Sequence, residues 1–84
     1  LALKVLDLAN DTEFGLLASI WTENKQRQQF FVSRLETGIV AVNNTSRINH
    51  RTPWGGLKQS GLGRRYGQLG LDVFFEYKTV WSCD

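Results

Sequence analysis

Covalent or acid–base catalysis needs a nucleophile with a base in hydrogen-bonding reach. The sequence offers one cysteine, Cys83, and one histidine, His50. Cys83 lies beside the chain end with no base near it in sequence. His50 sits in a polar stretch, where a solvent-facing loop histidine is expected rather than a general base. One Cys and one His make neither an internal disulfide nor a structural zinc site. The residues therefore assign no catalytic, cofactor-binding or metal-ligating group within these 84 residues.

The glycines are the next candidates. Gly61, Gly63 and Gly67 approximate a dinucleotide fingerprint, but the third glycine comes one place late and no strand closely precedes them. Gly56-Leu57-Lys58-Gln59-Ser60-Gly61 has the wrong Gly-Lys-Ser order for a phosphate loop. What remains is a tight turn in which Gly55, Gly56, Gly61 and Gly63 supply positive φ or close backbone approach.

Charge is uneven along the chain. The formal net charge is +2, yet no acid occurs from Thr37 to Leu71, where Arg47, Arg51, Lys58, Arg64 and Arg65 are all basic. Trp54 and Tyr66 interleave with these cations, the pattern of a small single-strand nucleic-acid-binding module. Five charges are modest for that role, and the aromatic signature of RNA-recognition sheets is absent. A non-catalytic interaction fragment is the third reading.

The elements that must position these residues read as follows. Leu1, Leu3, Val5, Leu6, Leu8 and Ala9 fit a helix, which Asn10-Asp11-Thr12 breaks and Gly15 ends as a turn. The apolar run Leu16 to Trp21 predicts a strand covered on both faces. Thr22 and Asn24 are candidate N-caps for a helix from Lys25 to Glu36, with Gln28, Phe31, Val32 and Leu35 on its inner side. Gly38 stands where a left-handed C-cap is expected. Ile39 to Val42 is a second strand. Strand, helix, strand with short connections is a βαβ unit with parallel strands, so the fold class is α/β. Asn43 to Gly63 is a long polar loop, and such loops are usually functional. Arg64 to Phe74 predicts a short helix interrupted by Gly67 and Gly70, and Phe75 to Trp81 a terminal strand.

Composition is globular, with 42% hydrophobic and 21% charged residues. A domain of this size buries only roughly 60 to 65% of its unfolded surface, and this one has no disulfide or metal to compensate. A two-stranded parallel ribbon also needs further strands. The chain starts at Leu1, already in a helical pattern, as a piece cut from a longer protein would. No apolar run reaches membrane-span length and no signal peptide is visible, so no membrane partner is expected. The single unpaired cysteine leans toward a reducing compartment, the cytoplasm.

The run Pro53-Trp54-Gly55-Gly56-Leu57-Lys58-Gln59-Ser60-Gly61-Leu62-Gly63-Arg64 closely resembles the C-terminal motif of the NAD(P)-dependent aldehyde dehydrogenase family. Asn10 to Leu16, Leu35-Glu36-Thr37-Gly38, Val42-Asn43 and Glu76-Tyr77-Lys78-Thr79-Val80 are similar to further landmarks of that family, in the same order. The resemblance spans essentially the whole chain. It implies that residues 1–75 are the C-terminal βαβ portion of a catalytic domain, and residues 76–84 a strand and tail of an oligomerisation flap.

The activity implied is oxidation of an aldehyde to a carboxylic acid with NAD or NADP. The nucleophilic cysteine, the activating glutamate and the cofactor site would all lie upstream, leaving this segment inactive alone. The implied partners are an aldehyde substrate, the rest of the parent chain and further copies in a dimer or tetramer, with no nucleic acid. By the same resemblance Trp54 walls the aldehyde pocket. Asn43 to Thr52, including Ser46 and Ile48, forms the substrate entrance. Arg64 and Glu76 make a buried ion pair of structural value. Two departures stand out: Arg65 replaces a commoner glutamate, and Trp54 a commoner phenylalanine, which narrows the pocket. Arg47, His50 and Arg51 at the entrance suit an aldehyde bearing a carboxylate.

Overall fold

β-Branched and apolar residues with little local polarity make the two central strands. β2 (Leu17–Ile20) and β3 (Ile39–Val42) pair in parallel, with Leu17 opposite Ile39 and Ile20 opposite Val42. Between them runs α2 (Lys25–Arg34), so the expected βαβ unit is present. These assignments come from a computed structural model, which describes residues 1–45 and 48–83.

α2 starts where its cap dictates. The Asn24 side-chain oxygen accepts from the Arg27 amide at 3.0 Å, satisfying a donor the helix leaves open. Thr22, the other candidate, receives the Asn24 amide at 3.2 Å and lies one step outside the helix. Phe31 is buried and Gln28 and Leu35 half-buried, but Val32 remains exposed.

The far end of α2 differs from expectation. Leu35 is its C-cap, in extended backbone, and Gly38 is not in the left-handed region. No glycine is needed there because α1 (Ala2–Asn10) supplies the partner: the Asn10 side-chain nitrogen donates to the Arg34 carbonyl at 3.0 Å. The Asn10 side-chain oxygen accepts from the Glu36 amide at 2.9 Å. Asn10 thus breaks one helix and closes the other. Gly38 is required for a different reason. A Cβ on it would overlap the Gly55 carbonyl, so only glycine lets the two backbones meet.

A second, antiparallel ladder was not expected. β1 (Phe14–Gly15) pairs with β4 (Leu57–Lys58), Phe14 opposite Lys58 and Gly15 opposite Leu57. Gly15 is therefore a strand residue rather than the end of a turn. α3 is Gly67–Asp72, shorter than expected, and Gly67 opens it instead of interrupting it. Gly70 is buried against the Arg65 backbone.

Residues 73–83 form neither helix nor strand, and Phe74, Tyr77, Val80 and Trp81 are largely exposed. The expected strand Phe75 to Trp81 is thus not formed within this chain. Neither is β2 covered on both faces, since Leu17 and the adjoining Trp21 are exposed. Among the described residues only Leu6 and Phe31 are buried hydrophobic side chains. The radius of gyration is 17.2 Å, against about 12 Å for a compact chain of this length.

Candidate functional site

Residues 54–65, between β3 and α3, form a closed loop with a tied neck and a tied tip. At the neck, the Trp54 amide donates to the Arg65 carbonyl and the Arg65 amide to the Trp54 carbonyl, each at 2.7 Å. At the tip, β4 lies on β1, the Gln59 amide donates to the Glu13 carbonyl at 2.8 Å, and the Ser60 hydroxyl accepts from the Gly15 amide at 2.8 Å. Gly61 and Gly63 have φ of 127° and 76°, which side-chain-bearing residues rarely adopt. Gly55 and Gly56 serve close approach: a Cβ on Gly55 would stand 2.5 Å from the Gly63 carbonyl oxygen, and one on Gly56 2.5 Å from the Ser60 Cβ.

Inside this loop lies an open cavity of 490 Å³ whose lining includes Trp54, Gly55, Gly56, Arg64, Leu16 and Val73. Trp54 is half-buried in it. The cavity brings together Trp54 and all four loop glycines except Gly61. It does not include Asn43 or Ile48, and Ile48 is 65% exposed. Ser46 and Arg47 lie outside the described residues.

Asn43 has another task. Its side-chain oxygen accepts from the Thr22 amide at 2.8 Å, and its side-chain nitrogen donates to the Thr22 carbonyl at 2.9 Å. Its own amide donates to the Ile20 carbonyl at 2.8 Å. With φ of 52°, Asn43 ends β3 by imitating one more rung of the parallel ladder, and so fixes the root of the loop.

Arg64 is not paired with Glu76 in this chain. Its Nη1 donates to the Gly56 carbonyl at 3.0 Å and the Gly63 carbonyl at 2.7 Å, while Glu76 is exposed on the tail. A guanidinium surrounded by loop carbonyls finds its acceptors locally. The ion pair recorded among the described residues is instead between Lys58 and Glu36, at 2.9 Å. Lys58 also donates to the carbonyls of Asn10, at 2.9 Å, and Thr12, at 3.3 Å. No sequence signal beyond its place in the motif pointed to Lys58.

Among the described residues of the basic run, Arg51 is exposed but the others do not form a stacking platform of free cations. Lys58 and Arg64 are engaged with protein acceptors, Trp54 turns into the cavity, and Arg65 lies 5.6 Å over the Tyr66 ring. Nucleic-acid binding is thus unsupported. Among the described residues, the glycine run does not open onto a helix start free to cradle a dinucleotide. α3 has six residues, and the amide of its first, Gly67, already donates to the His50 carbonyl at 2.7 Å. The described residues hold no cluster of His, Cys, Asp or Glu suited to a metal. Cys83 is an exposed free thiol on the tail, and His50 is exposed. No helix of the described residues is long and apolar enough to cross a membrane.

Comparison with known proteins gives one consistent result. The profile of the aldehyde dehydrogenase family matches residues 3–80. A probable succinate-semialdehyde dehydrogenase (NADP+) of Synechocystis sp. is 44% identical over 78 residues, covering 93% of this chain and 17% of the relative. Among solved structures, succinate-semialdehyde dehydrogenase from Burkholderia pseudomallei superposes with a TM-score of 0.82 at 40% identity, over 86% of this chain and 15% of that one. Apo betaine aldehyde dehydrogenase from Staphylococcus aureus gives 0.85 at 32% identity, over 88% and 15%. The chain thus spans less than one fifth of the length of the relatives it matches.

Proposed function

The chain belongs to the aldehyde dehydrogenase family, and from that premise we propose that it is the C-terminal segment of an enzyme oxidising an aldehyde to a carboxylic acid with NAD or NADP. The observation that carries the reading is the tied loop from Trp54 to Arg65. It builds one wall of a 490 Å³ cavity, opens outward, and lines it with no His, Cys, Asp, Glu or Lys, so the Ser60 hydroxyl there, which accepts from the Gly15 amide, has no base beside it. Such a cavity is half a site, and the reacting groups come from the remainder of the enzyme. This segment's own residues shape and exclude: Trp54 is an apolar wall that limits aldehyde girth.

In this reading, residues 1–75 complete the catalytic domain and residues 76–84 supply a strand and tail of an oligomerisation flap. The exposed Tyr77, Val80 and Trp81 suit a segment that acquires its partner edge from another subunit of a dimer or tetramer. Glu76 would meet its partner only in that assembly. The cofactor belongs to the upstream part, since the residues here do not fit it. The enzyme is assigned to the cytoplasm, where an exposed thiol such as Cys83 stays reduced.

The substrate class we favour is an aldehyde bearing a carboxylate. His50 and Arg51 are exposed beside the start of α3, no acid occurs between Thr37 and Leu71, and two of the similar proteins are named for succinate semialdehyde. The direct test is aldehyde-dependent reduction of NAD+ or NADP+ by the enzyme that contains this segment. Formation of one carboxylate per reduced nicotinamide is expected, and no reduction with any aldehyde would refute the reading.

A further inference from the structure

Lys58 is the point where three separated stretches of chain converge. Its ammonium donates to the Asn10 and Thr12 carbonyls at 2.9 and 3.3 Å and pairs with Glu36 at 2.9 Å. Asn10 ends α1 and Thr12 follows it, Glu36 follows α2, and Lys58 ends β4. The Asn10 carbonyl belongs to the last turn of α1, where the helix leaves acceptors open and its dipole favours a cation.

The backbone at Lys58 has φ of 55°, a conformation that costs a residue with a side chain and persists only where the surroundings impose it. β1 and β4 share only two residue pairs, too short a ladder to hold the loop tip alone. Gly56, immediately before β4, lines the cavity and gives its carbonyl to Arg64.

From this convergence we infer that Lys58 is a positioning residue for the aldehyde pocket, a role that rests on the dehydrogenase reading above. It holds the loop tip against the ends of α1 and α2, while the Trp54–Arg65 neck holds the other end. The distance between these two anchors sets where Trp54 and the Gly55-Gly56 backbone stand relative to substrate. Lys58 is not among the residues that line the cavity. Its loss therefore misplaces one wall and leaves the cofactor side alone.

The test is steady-state kinetics on the full-length dehydrogenase with Lys58→Met, which keeps the aliphatic stem, and with Glu36→Gln. Lys58→Met should raise the aldehyde KM about tenfold, leave the cofactor KM within about twofold, and lower kcat less than it raises the aldehyde KM. Glu36→Gln removes only a half-exposed ion pair and should raise the aldehyde KM about threefold or less, with Lys58→Arg nearest to the unaltered enzyme. Equal rises in both KM values, or an aldehyde KM unchanged in Lys58→Met, would overturn the inference. If Lys58→Met does not fold, Lys58→Gln, which keeps a donor but loses the charge and the reach, decides: an aldehyde-selective KM rise of about threefold or more supports the role, and an unchanged aldehyde KM overturns it. An unaltered enzyme that oxidises no aldehyde would instead sink the functional reading itself, so the two failures are distinct.

Discussion

The Gly38 backbone passes so close to the Gly55 carbonyl that no side chain fits between them. The contact welds the start of β3 to the loop that carries Trp54, although 17 positions separate the two glycines (55 minus 38). A methyl group at Gly38 must push that loop away from the sheet.

Gly38→Ala is therefore expected to destabilise the enzyme by about 3 kcal/mol or to prevent its accumulation in soluble form. Thermal denaturation of the variant checks this. A midpoint equal to that of the unaltered enzyme would mean that the loop does not rest on β3.

Asn43 should behave as a lock rather than as a substrate ligand. Asn43→Gly loses the two side-chain bonds to Thr22 but tolerates φ of 52°. Asn43→Ala loses the same bonds and is strained as well, by about 1 kcal/mol more. The thermal midpoint should fall in both, further in Asn43→Ala. Equal falls would show that the positive φ is not maintained in solution.

The 84-residue chain expressed alone should not melt as a folded monomer. Among the described residues its buried hydrophobic side chains are Leu6 and Phe31 alone, and it exposes Phe74, Tyr77, Val80 and Trp81 along with both edges of the β2–β3 ribbon. Sedimentation should show concentration-dependent association, and the thermal transition should be broad. A sharp, concentration-independent, reversible transition would contradict this.

Arg51→Ala should lower kcat/KM for a carboxylate-bearing aldehyde about three- to tenfold, while a neutral aldehyde of equal length is unaffected. The loss should shrink as salt rises, because Arg51 is exposed and its field is screened. Equal losses on both substrates would dismiss the charge argument.

Much of the fold was legible because its signals are local and repeated. The apolar runs of β2 and β3, and the helical spacing of Phe31 and Leu35 between them, predict the βαβ unit without knowledge of anything distant. β1 and β4 were illegible because a two-residue strand exists only through its partner, and Gly15 finds Leu57 across 42 positions (57 minus 15). Gly38 was assigned to a helix cap when the demand came from Gly55, a contact with no local signature. Within the site, the four loop glycines and Trp54 could be singled out from the motif. The tasks of Asn43 and Lys58 could not, since both act on backbone groups of other segments. The tail was expected as a strand from its alternation, yet alternation names a face and not a partner.

The central claim is that the Trp54 side chain forms a wall of the aldehyde pocket, and kcat/KM of Trp54→Ala for a small aliphatic and a bulky aromatic aldehyde tests it most directly. Removing the indole should shift selectivity toward the bulky substrate at least about tenfold, by weakening the small aldehyde's contacts and admitting the large one. If both values fall by the same factor, or neither changes, Trp54 does not face the substrate and the account is wrong.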